Sequence, residues 1–266
     1  QYRFVGQPLK RLDGLAKVTG QAQFGIDIKV PGMLCAAVRQ SPVFGGEVLR
    51  YDESTALSVK GVVQVVEILN GVAVIAEKFW QAKKGVDALR IEFSGGKSQG
   101  LDDQKLEQQL TEALDNLGKT EIVGEKTLDV EYFLPYLAHA TMEPMNCTAD
   151  VRSDHCEIWV TTQFPEVVRN KAAKITGLEP EQVTVHTAYL GGGFGRRGWD
   201  FAVQAIQASE AVGRPVKLIW TREEDTQHDF YRPAYKSRLQ VGLDEDGLPK
   251  LSLIHISEPT RLLSIS

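Results

Sequence analysis

Apolar positions in the first part of the chain fall in short runs broken by glycine: 36–38 (Ala-Ala-Val), 62–69 (Val-Val-Gln-Val-Val-Glu-Ile-Leu) and 72–75. Runs of this length, rich in β-branched residues and bounded by turn formers, predict strands. Residues 79–89 change to a helical pattern with Phe79, Trp80, Val86 and Leu89 as the expected packing positions, and Ile91, Glu92 and Phe93 return to strand. The polar stretch 94–100 predicts a loop. Leu106, Leu110, Ala113, Leu114 and Leu117 then recur at helical spacing up to a stop at Gly118.

Beyond that point strands are expected at 128–133, 147–151 and 157–162, with a loop at 134–146. A helix follows at 166–176, closed by Gly177, then a strand at 182–190, a helix at 199–212 and a strand at 216–220. Residues 244–249 (Asp-Glu-Asp-Gly-Leu-Pro) read as a turn within a strand pair, and strands near 235–243 are expected to lack partners in the chain, leaving open edges. Helices alternating with strands define the fold class as mixed α/β (α+β). The expected domains are an α/β unit at 1–95, a linker with a helix at 96–125 and a second domain at 126–250.

Composition narrows the class without changing that picture. With 266 residues, 42% hydrophobic and 24% charged, the chain is an ordinary globular sequence able to bury one or two cores. A net charge of −5, with no dense Lys/Arg block, excludes a nucleic-acid-binding surface but leaves room for a local basic pocket. No apolar run is long enough to span a bilayer. The start, Gln1, Tyr2 and Arg3, has neither an initiator Met nor the regions of a signal peptide, so a truncated or processed start is expected. Cys35, Cys147 and Cys156 are odd in number and lack CxxC spacing, which favours small packing residues over a disulfide framework or zinc site.

The stretch that promises chemistry is Gly191, Gly192, Gly193, Phe194, Gly195, Arg196 and Arg197, set between the strand at 182–190 and the helix at 199–212. A strand that breaks into glycines and restarts as a helix brings bare N–H groups up to a ligand, and two arginines add positive charge. No Gly-Lys-Ser/Thr follows, so it is not a P-loop, and the spacing is not that of a dinucleotide-binding GxGxxG. The alternative is a glycine-rich connection with no ligand.

Taken with Thr162 and Gln163 upstream and Trp220, Thr221, Arg222, Glu223, Glu224 and Asp225 downstream, this turn resembles that of the molybdenum-binding large subunits of the xanthine dehydrogenase and aldehyde oxidase family. The Arg-Arg ending and the run His228, Asp229, Phe230, Tyr231, Arg232, Pro233 resemble most the isoquinoline 1-oxidoreductase β-subunit branch, which includes membrane-associated aldehyde dehydrogenases. Residues 14–34 (Gly-Leu-Ala-Lys-Val-Thr-Gly through Pro31, Gly32, Met33 and Leu34) resemble that family's α/β hammerhead domain. The resemblance covers roughly residues 4–250. It implies a hammerhead domain followed by the first part of a molybdopterin-binding domain.

By that resemblance the glycine turn lies against the pyranopterin with Phe194 beside the molybdenum ligands, and Gln163 hydrogen-bonds the metal centre's oxo group. A neutral amide donates there without adding charge; from the residues alone, Gln163 reads as a strand-end amide capping the helix after Pro165. Glu143, within His139 to Asn146, is expected either to orient pocket backbone, to line a substrate channel, or to be a solvated loop carboxylate. His228, Tyr231 and Arg232 are candidates for steering a substrate, or a packed loop set by Pro233. Arg222 to Asp225 reads as a helix-start ion-pair cluster. Arg196 and Arg197 replace the family's more usual Gly-Lys, and a pair of guanidinium groups suits the bridging phosphates of molybdopterin cytosine dinucleotide.

The resemblance further implies an oxidoreductase that oxidises an aldehyde or N-heterocycle with water-derived oxygen. Electrons would leave through a small subunit bearing two iron–sulfur (2Fe–2S) clusters, and in membrane-associated relatives through a c-type cytochrome. Localisation would be periplasmic or membrane-associated, otherwise cytoplasmic, in a bacterial setting. The family's general-base glutamate belongs to a Gly-x-Gly-Glu-like segment that this sequence does not contain, so no catalytic residue is expected here and the chain alone is expected to be inactive. The rival reading is a non-catalytic phosphate-ligand or protein-interaction module with a degenerate pocket. Finally, residues 251–261 resemble, position for position, one reading frame of a sequencing-library transposase adapter, so 251–266 are expected to be a non-native tail.

Overall fold

Residues 72–76 (Val-Ala-Val-Ile-Ala) carry no polar side chain, and all five are buried. A strand so composed needs cover on both faces. The computed structural model describes residues 2–96, 98–117, 122 and 124–257 and shows how that cover is supplied.

In chain order the first elements are α1 (Gly14–Val18), β1 (Leu34–Gln40), β2 (Val48–Asp52), α2 (Ser54–Leu57), β3 (Val62–Ile68), β4 (Gly71–Ala76), α3 (Phe79–Ala88) and β5 (Arg90–Phe93). Then come α4 (Asp103–Asn116), β6 (Lys126–Leu134), β7 (Asn146–Val151), β8 (Cys156–Val160), α5 (Pro165–Thr176), β9 (Val183–Thr187), α6 (Asp200–Val212) and β10 (Val216–Ile219). The last are α7 (Arg222–Gln227), β11 (Tyr235–Leu243) and β12 (Pro249–Ser257). Gly118 and Lys97 of the expected helix stop and loop, and residues 258–266 of the expected tail, lie outside the described residues. The mixed α/β class is that read from the sequence.

Two compact units are present. The first comprises residues 1–40, 48–92 and 140–225; the second comprises 41–47, 93–139 and 226–266. The first is built on a seven-stranded mixed sheet in the order β3-β4-β1-β10-β7-β8-β9. Alternation of side chains along a strand sends Ala73 and Ile75 of β4, and Leu34, Ala36 and Val38 of β1, into a core shared with Phe201, Ala205 and Ile206 of α6. The opposite positions, Val72, Val74 and Ala76 of β4 and Ala37 of β1, pack with Ala82 and Val86 of α3. Cys147 and Cys156 sit in the α6-side core as small apolar residues, and burial pushes the Cys156 thiol up to about 12. Trp80, expected to pack, is instead 53% exposed, with the Lys84 ammonium 5.1 Å from its ring centroid.

In the second unit β11 lies between β6 and β12, both antiparallel to it. One edge of β11 is paired along its length by β6, which corrects the expectation of an unpartnered strand on that side; the other edge is paired by β12, in which residues 251–257 are those of the expected non-native tail. Leu106 and Leu110 of α4 pack with Ala234, Phe133 and Tyr136. No helix among the described residues is long and apolar enough to cross a membrane.

Candidate functional site

The glycine turn lies in the first unit, where β9 ends at Thr187, three residues before the expected strand end. Tyr189 leaves the sheet direction to form a single bridge with Phe24, its N–H donating to the Gln23 carbonyl at 3.3 Å. Within the turn Gly192, Phe194 and Gly195 take φ of +97°, +52° and +94°. Glycine is the residue for the first and last of these, while Phe194 adopts a conformation that costs an ordinary side chain about 1–2 kcal/mol. Phe194 is 62% exposed.

The four glycines have different reasons. At Gly191 a Cβ would run into the Glu143 side chain. Gly192 and Gly195 are set by their φ. At Gly193 φ is not in the left-handed region, and a Cβ would meet only Leu190 Cδ2 at 3.4 Å and Gln163 Oε1 at 3.8 Å, ordinary contact distances. Nothing in this chain's packing or backbone demands glycine at 193.

Glu143, 8% exposed, is the hub of the turn. Its Oε2 accepts from Gly191 N–H at 2.8 Å and Arg197 Nη2 at 3.1 Å; its Oε1 accepts from Ile26 N–H at 3.0 Å and Asn146 Nδ2 at 2.9 Å. Its backbone N–H donates to the Gly191 carbonyl at 3.0 Å. These bonds are those of a carboxylate that orients the backbone of the turn, not of a solvated loop carboxylate.

Arg197 is 0% exposed. Its guanidinium donates to the Glu143 backbone carbonyl at 2.7 Å, the Gly192 carbonyl at 2.7 Å and Thr161 Oγ1 at 2.5 Å, besides Glu143 Oε2. Burial pulls its pKa below the usual arginine value, against the opposing charges of Glu143 and Asp225. Arg196 is also buried and makes a two-pronged pair with Asp200, 3.0 Å and 2.8 Å, with its guanidinium 5.3 Å from the Trp220 ring centroid. The expected role of this pair as a receptor for bridging phosphates is therefore corrected: each guanidinium is desolvated and paired with a carboxylate of its own chain. Arg196 precedes α6, so helical spacing does not name Asp200, the first residue of that helix, as its partner, and Ile26 and Asn146 carried no local signal.

Gln163 is brought to the same turn. Its N–H donates to the Arg197 carbonyl at 3.0 Å, and the neighbouring Thr162 Oγ1 donates to the Gly198 carbonyl at 2.6 Å. Helix α5 has Phe164 at its N-cap position with no side-chain cap, so the Gln163 amide is not spent there. It is exposed, on the side of the turn where Gly193 leaves room. Among the described residues no His, Cys, Asp and Glu group is arranged to hold a metal ion directly.

His228, Tyr231 and Arg232 belong to the second unit. The His228 Nδ1–H donates to the Ser41 carbonyl at 2.9 Å, and the Tyr231 hydroxyl donates to the Thr226 carbonyl at 2.9 Å. Phe44 and Tyr136 stand 5.5 Å and 6.2 Å from the Tyr231 ring, and burial, then the Asp229 charge, raises its phenol pKa. Arg232 is exposed and its backbone pairs with that of Leu137. The nearby pair of His139 Nδ1 with Asp229 Oδ2, at 2.8 Å, was not singled out from the sequence. In the first unit Arg222 and Asp225 of α7 pair at 2.5 Å.

The site is thus a glycine turn at the edge of a mixed sheet, tied on one side to Glu143 and Arg197. Residues 119–256 match the molybdopterin cofactor-binding domain, and the chain belongs to that family, the one of the xanthine dehydrogenase and aldehyde oxidase large subunits. It is 33% identical to the isoquinoline 1-oxidoreductase subunit β of Brevundimonas diminuta, over 96% of this chain and 35% of the relative. It is 31% identical to a membrane-bound aldehyde dehydrogenase (pyrroloquinoline-quinone) of Gluconacetobacter polyoxogenes, over 91% and 34%. The chain thus spans about a third of the length of these relatives. The fold is shared with quinoline 2-oxidoreductase from Pseudomonas putida 86, with a TM-score of 0.71 and 18% identity over 93% of this chain and 38% of that one.

Proposed function

We propose that this chain forms one wall of the molybdenum-cofactor site in a molybdenum hydroxylase large subunit that oxidises an aldehyde or N-heterocycle. The observation that carries the reading is Gly193. The turn is fixed from behind by Glu143 and Arg197, yet at 193 a side chain is missing where this chain leaves space for one. Bare backbone at a position whose own packing would accept a side chain is what a bulky ligand at close range requires.

The residues present fit such a cofactor. The 191–195 backbone would lie against the pterin, with the exposed Phe194 ring as a side wall. The Gln163 amide would donate a neutral hydrogen bond to the metal centre. When bound, the group supplies two-electron redox chemistry for hydroxylation with water-derived oxygen. The dinucleotide form rests on likeness to the isoquinoline 1-oxidoreductase branch alone, since neither guanidinium faces outward. The same likeness supports a small subunit with 2Fe–2S clusters, a c-type cytochrome as onward acceptor, and a periplasmic or membrane-associated setting.

The test is metal and nucleotide analysis of the whole subunit, purified with its partners from a cofactor-replete host. Stoichiometric molybdenum is expected, with an equal amount of cytidine monophosphate released by acid hydrolysis. Molybdenum without the nucleotide would reduce the assignment to the mononucleotide form, and absence of molybdenum would overturn the reading.

A further inference from the structure

The glycine turn is held by a segment that lies far outside the residues matching the cofactor-binding family. Ile26 is 117 positions before Glu143, yet its N–H is one of the four donors to that buried carboxylate. The two carboxylate oxygens divide their work: Oε2 faces Gly191 and Arg197 of the turn, while Oε1 faces Ile26 and Asn146. A carboxylate anchored at one oxygen is aimed at the other, so the donors to Oε1 fix where Oε2 points.

The Ile26 peptide is itself held on both sides. Its carbonyl accepts from the Lys217 ammonium at 2.7 Å, a buried lysine reaching across from β10. Gly25 before it has no room for a side chain: a Cβ would stand 2.6 Å from Asn146 Oδ1, 2.9 Å from the Thr161 methyl and 3.3 Å from Glu143 Oε1. Thr161 is also a partner of Arg197, so Gly25 presses on the same cluster from two directions. On its other flank, Gln23 and Phe24 take the backbone and ring of Tyr189, two residues before the turn.

We propose that residues 22–28 act as a strap that positions the glycine turn for its ligand through Glu143, with Gly25 and Ile26 as the positioning residues. Only the final step, from turn geometry to cofactor retention, rests on the molybdenum reading. The strap supplies no atom to the ligand; it sets the direction of the Gly191 and Arg197 hydrogen bonds before the ligand arrives.

Gly25→Ala tests this by pushing the segment off the cluster with one methyl group. Hydrogen–deuterium exchange on the whole chain should show the 191–197 amides exchanging about ten- to a hundredfold faster, the factor expected for loss of a charge-assisted hydrogen bond, with β4 and β10 protection unchanged. A general loss of structure would instead speed every strand. Ile26→Pro, which removes the N–H to Glu143 together with the Ile26 side chain and also restricts Gly25, should reproduce the effect and keeps the test decisive where Gly25→Ala does not fold. In the purified holoenzyme both variants should lower molybdenum content by a similar factor. Unchanged exchange at 191–197 in a folded variant overturns the strap. A wild-type enzyme without molybdenum removes the cofactor reading, while the exchange result still decides whether the strap positions the turn.

Discussion

Arg197 shows at the scale of one residue why the sequence could place the site and misassign its parts. An arginine pair beside glycines reads as a ligand receptor because guanidinium matches phosphate. The same side chain buried needs a carboxylate, and only the fold reveals that Glu143 and Asp200 supply them. Breaking such a pair from one side strands a charge, at a cost of about 3–5 kcal/mol. Glu224 presents the opposite balance. Its carboxylate, 3.0 Å from the Gln40 N–H and 3.3 Å from Arg39 Nε, is buried enough that its pKa is raised despite these partners. Protonated Glu224 is therefore favoured by folding; that contribution is complete below the ordinary glutamate pKa and is lost as pH climbs through the raised value. Glu224→Gln should gain on the wild type in thermal stability as pH rises across that window. A constant difference in melting temperature between the two, followed by calorimetry over that range, would contradict the assignment.

At the scale of elements, periodicity and stop residues carried most of the information. Helix α5 was legible from Pro165 at its start and Gly177 after its end, and Gly177 does take φ of +71° there. The strand before the turn was read too long because apolar residues continue to Leu190, whereas the Tyr189 amide turns to Gln23, a partner no local pattern names. The turn itself was legible as glycine-rich but not glycine by glycine. Gly193 separates the two kinds of requirement. Gly193→Ala should leave the chain's stability unchanged or raise it by up to about 1 kcal/mol, because the position is compatible with a side chain and the unfolded state loses freedom. Molybdenum occupancy of the holoenzyme should nevertheless fall. Urea unfolding and metal content measured on the same preparation check both halves, and destabilisation with full occupancy would mean that the chain, not a ligand, demands glycine.

For the whole molecule, the decisive contacts are pairings that a linear reading does not reach. Alternation shows that 34–40 and 216–219 are strands but not that Leu34 stands opposite Val216 in a parallel pair. That pairing makes β1 cover the side of β10 that β7 does not occupy, so strands from early in the chain complete a sheet whose later strands lie within the family match. A chain of residues 119–256 would thus keep β7 to β10 but leave β10 as an uncovered edge, with the buried apolar Val216 and Leu218 and the buried Lys217 on it. It would also lack Leu34, Ala36, Val38, Ala73 and Ile75 from the α6-side core. An open apolar edge pairs with other chains, and a core stripped of those side chains loses about 1.5–3 kcal/mol for each larger one. The expectation is that 119–256 associates or unfolds at concentrations where residues 1–266 stay monodisperse, as read by light scattering and far-ultraviolet circular dichroism. A monomeric 119–256 with a cooperative melt would show that the later strands need no cover from β1, and would count against a sheet that spans both ends of the first unit.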